Sequence, residues 1–199
     1  MKRVILGLGS NTEYNGMSSV ELLASACRAL SAVLEGMSCS SLYMSKAMYV
    51  EDQADFYNMA VKGFVSDSTD PFLLLKAVNK IEAEYGRDRS KEIRFGPRPL
   101  DIDIEEFGDD EIHTEILEVP HPRMQEREFV LIPTLEILNE SADSKLREKL
   151  AGCLGRLSSQ GVEKCPEETQ ALFVNLCKGG AHGSKGCAGT AGNNDGRKR

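Results

Sequence analysis

The order of strand-like and helix-like segments is the feature that most narrows what this chain can fold into. Residues 3–9 have the apolar character of a buried strand and end in a glycine turn. Residues 38–48, 56–66 and 100–107 predict three further strands, and helical patterns separate the first strand from the second and the third from the fourth. This order predicts an α+β fold with a ferredoxin-like βαββαβ core, in which helices pack on an antiparallel sheet.

Local motifs indicate where the two core helices begin. Ser18 and Glu21 form a capping-box pattern, in which each side chain satisfies a free amide at a helix start. The apolar stripe that follows predicts a helix ending near Glu35–Gly36. Asp70–Pro71 supplies an N-cap and a proline at the first helical position, and Gly86 is placed to end the second helix.

The last third of the chain carries weaker patterns. Pro122–Leu131 predicts a short helix that stops before Pro133, and Lys145–Leu157 shows one more helical stripe. The final residues are mostly Gly, Ala, Ser, Asn and Lys, a composition that has too few apolar groups to offset the entropy of ordering. We therefore divide the chain into a folded domain, a C-terminal helical extension and a disordered Gly-rich tail, at residues 1–138, 139–177 and 178–199.

Composition limits the class of protein. The 199 residues, 41% of them hydrophobic, suffice for one domain with an appendage. No apolar run approaches the ~20 residues that cross a bilayer, and the N-terminus lacks a signal-peptide pattern. A net charge of −7 disfavours duplex nucleic acid as the main partner, and the six cysteines include no Cys-x-x-Cys pair of a zinc ribbon. We expect a cytoplasmic monomer with no membrane and no nucleic-acid partner.

The carboxylates Asp101 and Asp103 are the first candidates for chemistry. Because side chains alternate between the faces of a strand, both point to the same face. Two adjacent carboxylates repel unless a cation lies between them, and magnesium shared with substrate phosphates is a common solution. A plainer interpretation is a solvated edge strand, since residues 101–118 contain nine acids and no lysine or arginine.

A basic segment directly precedes these aspartates. Residues 86–98 contain five cations against two acids, and guanidinium groups bind phosphate oxygens bidentately. A cationic loop beside two carboxylates suits a polyphosphate with bound magnesium. Alternatively, its arginines only offset the acidic strand. His121 and Arg127 form a second cluster, in which His121 stays neutral or gains a proton near pH 6.5.

Taken together, these segments resemble the 6-hydroxymethyl-7,8-dihydropterin pyrophosphokinase family. The resemblance covers about residues 3–138 in the family's order, and its Gly-Pro-Arg-x-x-Asp-x-Asp element is highly specific. The matching segments are Gly7–Asn11, Asp55–Asn58, Ile81–Glu82 with Gly86–Arg89, Arg94–Asp103, and Val119–His121 with Arg127–Phe129.

The resemblance implies ATP as co-substrate, two magnesium ions and transfer of pyrophosphate from ATP to the pterin hydroxymethyl group, which releases AMP in folate biosynthesis. Residues 1–138 would be the pterin pyrophosphokinase domain. The catalytic group would be Arg87, Arg94, Asp101 and Asp103, with both aspartates holding the metal. The ATP-binding residues would be Glu82, Arg87, Arg89, Arg98, His121 and Arg127. The pterin-binding residues would be Ser45, Phe56, Asn58 and Phe129.

Some positions depart from the family pattern. The loop Ser45–Met48 lacks the prolines usual beside the pterin pocket, and Phe95 stands where many members have tryptophan. A phosphotransferase that uses magnesium and ATP with a different acceptor therefore stays open. A ferredoxin-like module for single-stranded RNA is disfavoured, because aromatic residues make up only 6% of the chain and no RNP-type motif occurs. An inactive homologue is disfavoured because both aspartates, His121 and the arginines are present.

Overall fold

An antiparallel sheet forms the centre of the molecule. The computed structural model describes residues 1–47, 53–89 and 96–178. The strands are β1 (Lys2–Ser10), β2 (Glu35–Cys39), β3 (Tyr43–Ser45), β4 (Phe56–Val65), β5 (Asp101–Phe107), β6 (Ile112–His113), β7 (Glu118–Val119) and β8 (Glu163–Lys164). The main sheet has the order β5-β1-β4-β3-β8, β2 also pairs with β4, and β6 and β7 form a separate hairpin.

Helices cover both faces of this sheet. They are α1 (Ser19–Leu30), α2 (Pro71–Glu84), α3 (Glu128–Ile137), α4 (Ser144–Leu154) and α5 (Pro166–Lys178). The larger apolar core joins α1 and α2 to one face, and the smaller joins α3 and α4 to the other. Side chains alternate between the two faces of the sheet along β1, so this strand contributes to both cores. Leu6 and Leu8 belong to the larger core and Ile5 to the smaller. The predicted α+β fold is confirmed.

Helix starts follow the sequence closely. Ser18 accepts a hydrogen bond from the Glu21 amide while the Glu21 carboxylate accepts one from the Ser18 amide, so the predicted capping box is present. The Asp70 carboxylate accepts from the amide of Phe72 at 2.9 Å, which confirms the predicted N-cap of α2. Such caps satisfy amides that have no partner within the helix.

The predicted end of α1 near Glu35–Gly36 is wrong. The helix ends at Leu30, where the Ser31 hydroxyl donates to the Arg28 carbonyl at 2.7 Å. Leu34 is buried in the turn that follows, so the apolar period continues past the helix itself. The spacing of apolar residues therefore did not mark the boundary.

The strand predicted over residues 38–48 is two strands, β2 and β3. Ser40 lies between them, where its hydroxyl accepts from the Ala60 amide and its own amide donates to the Ala60 carbonyl, both at 2.9 Å. A side chain thus replaces one backbone partner in the ladder, and the pairing with β4 is interrupted.

The helix predicted to stop before Pro133 also differs. A single 3-10 turn, Met124–Glu126, precedes α3, and α3 continues through Pro133 to Ile137. Proline removes one intrahelical hydrogen bond. Burial of Leu131 before the proline and packing of Leu135 after it, both in the smaller core, stabilise the helix on either side of that defect.

Residues 139–178 contain α4, α5 and β8, which joins the main sheet. The division of the chain at residues 138 and 177 stays a prediction. The tail predicted from residue 178 lies outside the described residues apart from Lys178, the last residue of α5. Within the described part of the chain, no helix has the length and apolar character needed to cross a membrane.

A buried carboxylate ties the start of the extension to the sheet. Asp143 accepts from Arg3 Nη1 of β1 at 2.9 Å, from Lys62 Nζ of β4 at 2.9 Å and from the Asn139 amide at 2.8 Å. Burial alone would raise the pKa of Asp143, but these donors outweigh it and hold the pKa below its usual value. Asp143 therefore neutralises Arg3 and Lys62 at the end of the sheet that lies away from Gly9.

Replacing Asp143 with alanine should lower the free energy of unfolding by about 2–4 kcal/mol, because poorly solvated Lys62 loses its counter-charge and Arg3 keeps only Glu106, at 3.5 Å. Urea unfolding at neutral pH measures this loss. Asp110→Ala is the control, since Asp110 pairs with Lys2 at 2.6 Å near the surface and should cost less than about 1 kcal/mol. Equal losses in the two variants would contradict the role given to Asp143.

Candidate active site

A cavity of about 240 Å³ opens on the sheet face that α3 covers, where β4, β1 and β5 lie side by side. Two glycines of β1 form part of its floor. A Cβ at Gly7 would lie 2.9 Å from Oε1 of Glu105, and a Cβ at Gly9 would lie 3.5 Å from Oδ1 of Asn58. The missing side chains therefore leave room for a ligand directly over the sheet.

Most of the residues predicted for the site meet in this cavity. The predicted residues that line it are Ser45, Phe56, Asn58, Arg87, Arg89, Arg98, Asp101, Asp103, His121, Arg127 and Phe129. They come from β3, β4, β5, the loop after α2 and the segment around the start of α3. Glu82 does not line the cavity, and the predictions for Arg94 and Phe95 fall outside the described residues.

Asp101 and Asp103 share a face of β5 but have different surroundings. Asp101 accepts hydrogen bonds from Arg87 and, at 3.0 Å, from Arg98. Asp103 is half-buried and accepts no hydrogen bond from the described residues. Burial and the charge of Asp101 raise the pKa of Asp103 to about 7, with Arg127 opposing the shift.

Sequence reasoning did not single out Glu105, which is a third carboxyl group on the same face. Its side chain is 1% exposed, lines the cavity, and neither oxygen has a hydrogen-bond partner among the described residues. Burial and the charge of Asp103 raise the pKa of Glu105 well above its usual value. The period of two that pairs Asp101 with Asp103 extends to position 105 and was the available signal.

Glu82 acts beneath the cavity. Its buried carboxylate, on the last turn of α2, accepts from Arg87, from Arg89 Nη2 at 2.6 Å and from the Ile102 amide of β5 at 2.8 Å. Burial raises the pKa of Glu82, although these partners oppose the shift. The carboxylate thus fixes two arginines relative to the strand that carries the aspartates.

His121 and Arg127 form the wall opposite the arginine loop. The His121 amide donates to the Glu105 carbonyl at 3.0 Å, and His121 Nδ1 accepts from the Arg123 amide at 3.3 Å. Burial, together with the charges of Arg127 and Arg123, lowers the pKa of His121 to about 4. A pKa this low favours the neutral imidazole at physiological pH, which is one of the two states that the sequence allowed.

Two aromatic side chains and an amide surround the other end of the cavity. Asn58 Nδ2 donates to Ser45 Oγ at 2.9 Å and to the Phe56 carbonyl at 3.2 Å. The Arg127 guanidinium lies 5.5 Å from the centre of the Phe129 ring, a cation–π distance. This end suits a flat heteroaromatic ring that needs hydrogen bonds at its edge.

Asn11, at the end of β1, connects the segments that border the cavity. Its Nδ2 donates to Gln53 Oε1 at 3.1 Å and to the Ala54 carbonyl at 3.0 Å, and its Oδ1 accepts from the Arg98 amide at 2.9 Å. From the sequence, Gly7–Asn11 indicated only a tight turn, which is wrong, because β1 continues through Gly7 and Gly9 to Ser10. The connecting role of Asn11 depends on contacts with residues more than forty positions away.

The donor set fits a hard cation that a ligand helps to hold. Asp101 and Asp103 offer oxygen atoms on one face, and the raised pKa of Asp103 reflects a charge that nothing nearby neutralises fully. No three His, Cys, Asp or Glu side chains in residues 1–47, 53–89 and 96–178 are arranged as a complete metal site. Magnesium commonly binds through one or two carboxylates plus substrate phosphates and water.

Comparisons with known proteins agree on one family. The family described as 7,8-dihydro-6-hydroxymethylpterin-pyrophosphokinase (HPPK) matches residues 5–139. A 2-amino-4-hydroxy-6-hydroxymethyldihydropteridine pyrophosphokinase of Bacillus subtilis (strain 168) is 50% identical over 101 residues, which cover 51% of this chain and 58% of the relative. The protein of the same name from Aquifex aeolicus (strain VF5) is 38% identical over 137 residues, covering 69% of this chain and 81% of the relative.

A solved structure shows the same fold. A Plasmodium falciparum HPPK-DHPS with pterin and p-hydroxybenzoate matches 82% of this chain and 46% of that chain, with a TM-score of 0.53 and 15% identity. This chain therefore spans less than half of that protein and little more than half of the Bacillus relative.

Asp103→Asn should stabilise the metal-free protein at pH 8 by about 1–2 kcal/mol, because it removes a charge that burial and Asp101 disfavour. A carboxyl group whose folded pKa exceeds its unfolded pKa destabilises the fold fully above the folded value. With a folded pKa of about 7, the gain should therefore shrink as the pH falls from 7 towards 4. Urea unfolding of both proteins at pH 8 and pH 5 measures it.

Asp101→Asn is the matched control, since Asp101 accepts from two arginines and its loss should destabilise the protein at both pH values. A stability of Asp103→Asn equal to that of the native chain at pH 8 would contradict the electrostatic account of this pair.

Proposed function

The chain belongs to the 7,8-dihydro-6-hydroxymethylpterin-pyrophosphokinase family, and on that basis we propose that it transfers pyrophosphate from ATP to the hydroxymethyl group of 6-hydroxymethyl-7,8-dihydropterin and releases AMP. The observation that supports the proposal most strongly is that two aspartates, several arginines and two phenylalanines line the same cavity. ATP is the co-substrate of HPPK enzymes. The reaction would make this protein an ATP-dependent diphosphotransferase of folate biosynthesis.

The arginine side of the cavity is proposed to bind the ATP phosphates. Arg89 is the most accessible of these cations, with 58% of its side chain exposed, and its anchor to Glu82 leaves other N–H donors for a ligand. Arg127 Nε is buried without a hydrogen-bond partner among the described residues, as expected of a donor awaiting an anion. Neutral His121 can donate from Nε2, because its Nδ1 accepts from a backbone amide.

Asp101 and Asp103 would hold the two magnesium ions that the family resemblance implies. When bound, the ions neutralise charge on the transferring group. The protein's own part is to keep both carboxylates on one strand face and to fix Arg87 and Arg98 against Asp101. Arg94, which lies outside the described residues, keeps its predicted place in the catalytic group as part of this proposal.

The aromatic end is proposed to bind the pterin. Phe56 and Phe129 would contact its faces, and Asn58 and Ser45 would bond its polar edge. The hydroxymethyl oxygen would then attack the β-phosphorus of ATP, the bond between that phosphorus and the α,β-bridging oxygen would break, and AMP would carry that oxygen away. Alignment and charge neutralisation dominate such transfers, so no strong general base is assigned. The hydroxyl proton passes to solvent.

We propose further that the protein works as a cytoplasmic monomer on these two small molecules, without a nucleic-acid or membrane partner.

The test is AMP release by the purified protein with ATP, magnesium and 6-hydroxymethyl-7,8-dihydropterin, against a control without pterin. Pterin-dependent AMP formation is expected. If ATP binds with magnesium but no AMP forms, the proposed acceptor is contradicted. The remaining hypothesis is then a phosphotransferase that uses another acceptor. Absence of nucleotide binding would contradict the donor as well.

Two variants should distinguish the two ends of the cavity by their effects on KM for each substrate. Asn58→Ala should raise KM for the pterin about tenfold, the equivalent of one lost hydrogen bond of about 1.4 kcal/mol, and leave KM for ATP unchanged. Arg89→Ala should raise KM for ATP and leave KM for the pterin unchanged. Steady-state kinetics with each substrate varied in turn measures both, and the opposite pattern would reverse the proposed orientation.

A further inference from the structure

The strand that supports the proposed pterin pocket is short and lies near the edge of the sheet. β3 has three residues, and the last is Ser45, whose hydroxyl accepts from Asn58. On one side β3 pairs with β4, and on the other it pairs with β8, from a segment beyond the family match at residues 5–139. A strand this short gains much of its order from its neighbours.

The C-terminal segment satisfies both backbone groups of the residue that leads into β3. The Leu42 carbonyl accepts from the Cys165 amide at 2.9 Å, and the Leu42 amide donates to Thr169 Oγ1 at 2.9 Å. Thr169 Oγ1 in turn donates to the Cys165 carbonyl at 2.6 Å. Because Leu42 is 0% exposed, water cannot replace these partners without local opening.

α5 is itself fixed to the main core, so it can transmit rigidity to β3. Leu172 of α5 is 0% exposed and belongs to the larger core. Further along, Arg28 Nη1 of α1 donates to the Asn175 carbonyl at 2.9 Å. The helix is therefore held by α1 along its length and meets β3 at its first turn.

A carboxylate on α3 links the same strand to the same segment. Glu136 accepts from the Ser41 hydroxyl at 2.7 Å, from the Tyr43 hydroxyl at 3.0 Å and from Lys164 Nζ of β8 at 3.1 Å. Burial alone would raise the pKa of Glu136, but these hydrogen bonds outweigh it and hold the pKa below its usual value. Since α3 also carries Phe129, one carboxylate joins two walls of the aromatic pocket and β8.

We infer that residues 163–178 position the pterin-binding wall of the cavity, with Thr169 as the positioning residue between α5 and β3. The inference rests on the proposed function for the identity of the ligand. Loss of the Thr169 hydroxyl loosens Leu42–Ser45, so that Ser45 and Asn58 form weaker hydrogen bonds with the pterin. The ATP side, which is built on α2 and β5, should be unaffected.

The test is Thr169→Val, which preserves shape but removes the hydroxyl. We expect KM for the pterin to rise about fivefold, with kcat and KM for ATP within about twofold of the native values. Thr169→Ser, which restores the hydroxyl, should recover the native KM. Hydrogen exchange should also show faster exchange at residues 42–45 in Thr169→Val.

Thr114→Val is the matched control. Thr114 Oγ1 likewise donates to a backbone carbonyl and accepts from a backbone amide, both of Leu117, in a hairpin whose residues do not line the cavity. This variant should leave the pterin KM and the exchange of residues 42–45 unchanged. An equal rise of pterin KM in both variants would show a general loss of stability and overturn the inference.

The exchange readout separates this inference from the proposed function. Unchanged exchange at residues 42–45 in Thr169→Val would overturn the inference whatever the enzyme does. Faster exchange with an unchanged pterin KM would show that the Thr169 contact stabilises the fold without positioning the pterin-binding wall. That result would also overturn the inference. A native chain that releases no AMP with pterin would instead contradict the proposed function and the ligand assigned here.

Discussion

Repulsion among carboxyl groups on one face of β5 is the constraint on which the rest of the site depends. Asp101, Asp103 and Glu105 follow one another at a spacing of two, over a sheet floor that lacks side chains at Gly7 and Gly9. Asp101 is neutralised by two arginines, while burial and neighbouring negative charge raise the pKa of the other two carboxyl groups. Ionisation of Asp103 and Glu105 is therefore unfavourable in the protein alone, and a cation beside these carboxyl groups would favour their charged forms.

The opposing positive charge is arranged before any ligand arrives. Buried Glu82 fixes Arg87 and Arg89 and also binds the amide of Ile102, so the arginine loop and the aspartate strand share one anchor. Donors held in this way need little rearrangement when a polyphosphate binds. Glu82, which does not line the cavity, thus fixes two arginines that are proposed to bind phosphates, and its own predicted contact with ATP stays a prediction.

The sequence was most informative where chemistry is local. A capping box, an Asp-Pro helix start and alternation along a strand depend on neighbouring residues, and Ser18, Asp70 and Asp103 lie as predicted. It was least informative where distant contacts decide. The break at Ser40 depends on Ala60, and the place of β8 in the sheet depends on β3.

The same distinction applies to the site. Residue types and spacing were enough to collect the aspartates and arginines that line the cavity, whereas Phe56 and Phe129 were expected only from the family resemblance. The part played by Glu82 depends on a hydrogen bond to β5, and the bracing of β3 depends on a threonine far along the chain. No local pattern encodes either contact.

Crystals grown with Mn²⁺ in place of magnesium, together with an α,β-methylene analogue of ATP, would show whether Asp101 and Asp103 bind the metal. Two anomalous diffraction peaks are expected beside the carboxylates of Asp101 and Asp103, with the nucleotide phosphates next to them. A bound nucleotide with no metal peak at either carboxylate would contradict metal binding by these residues.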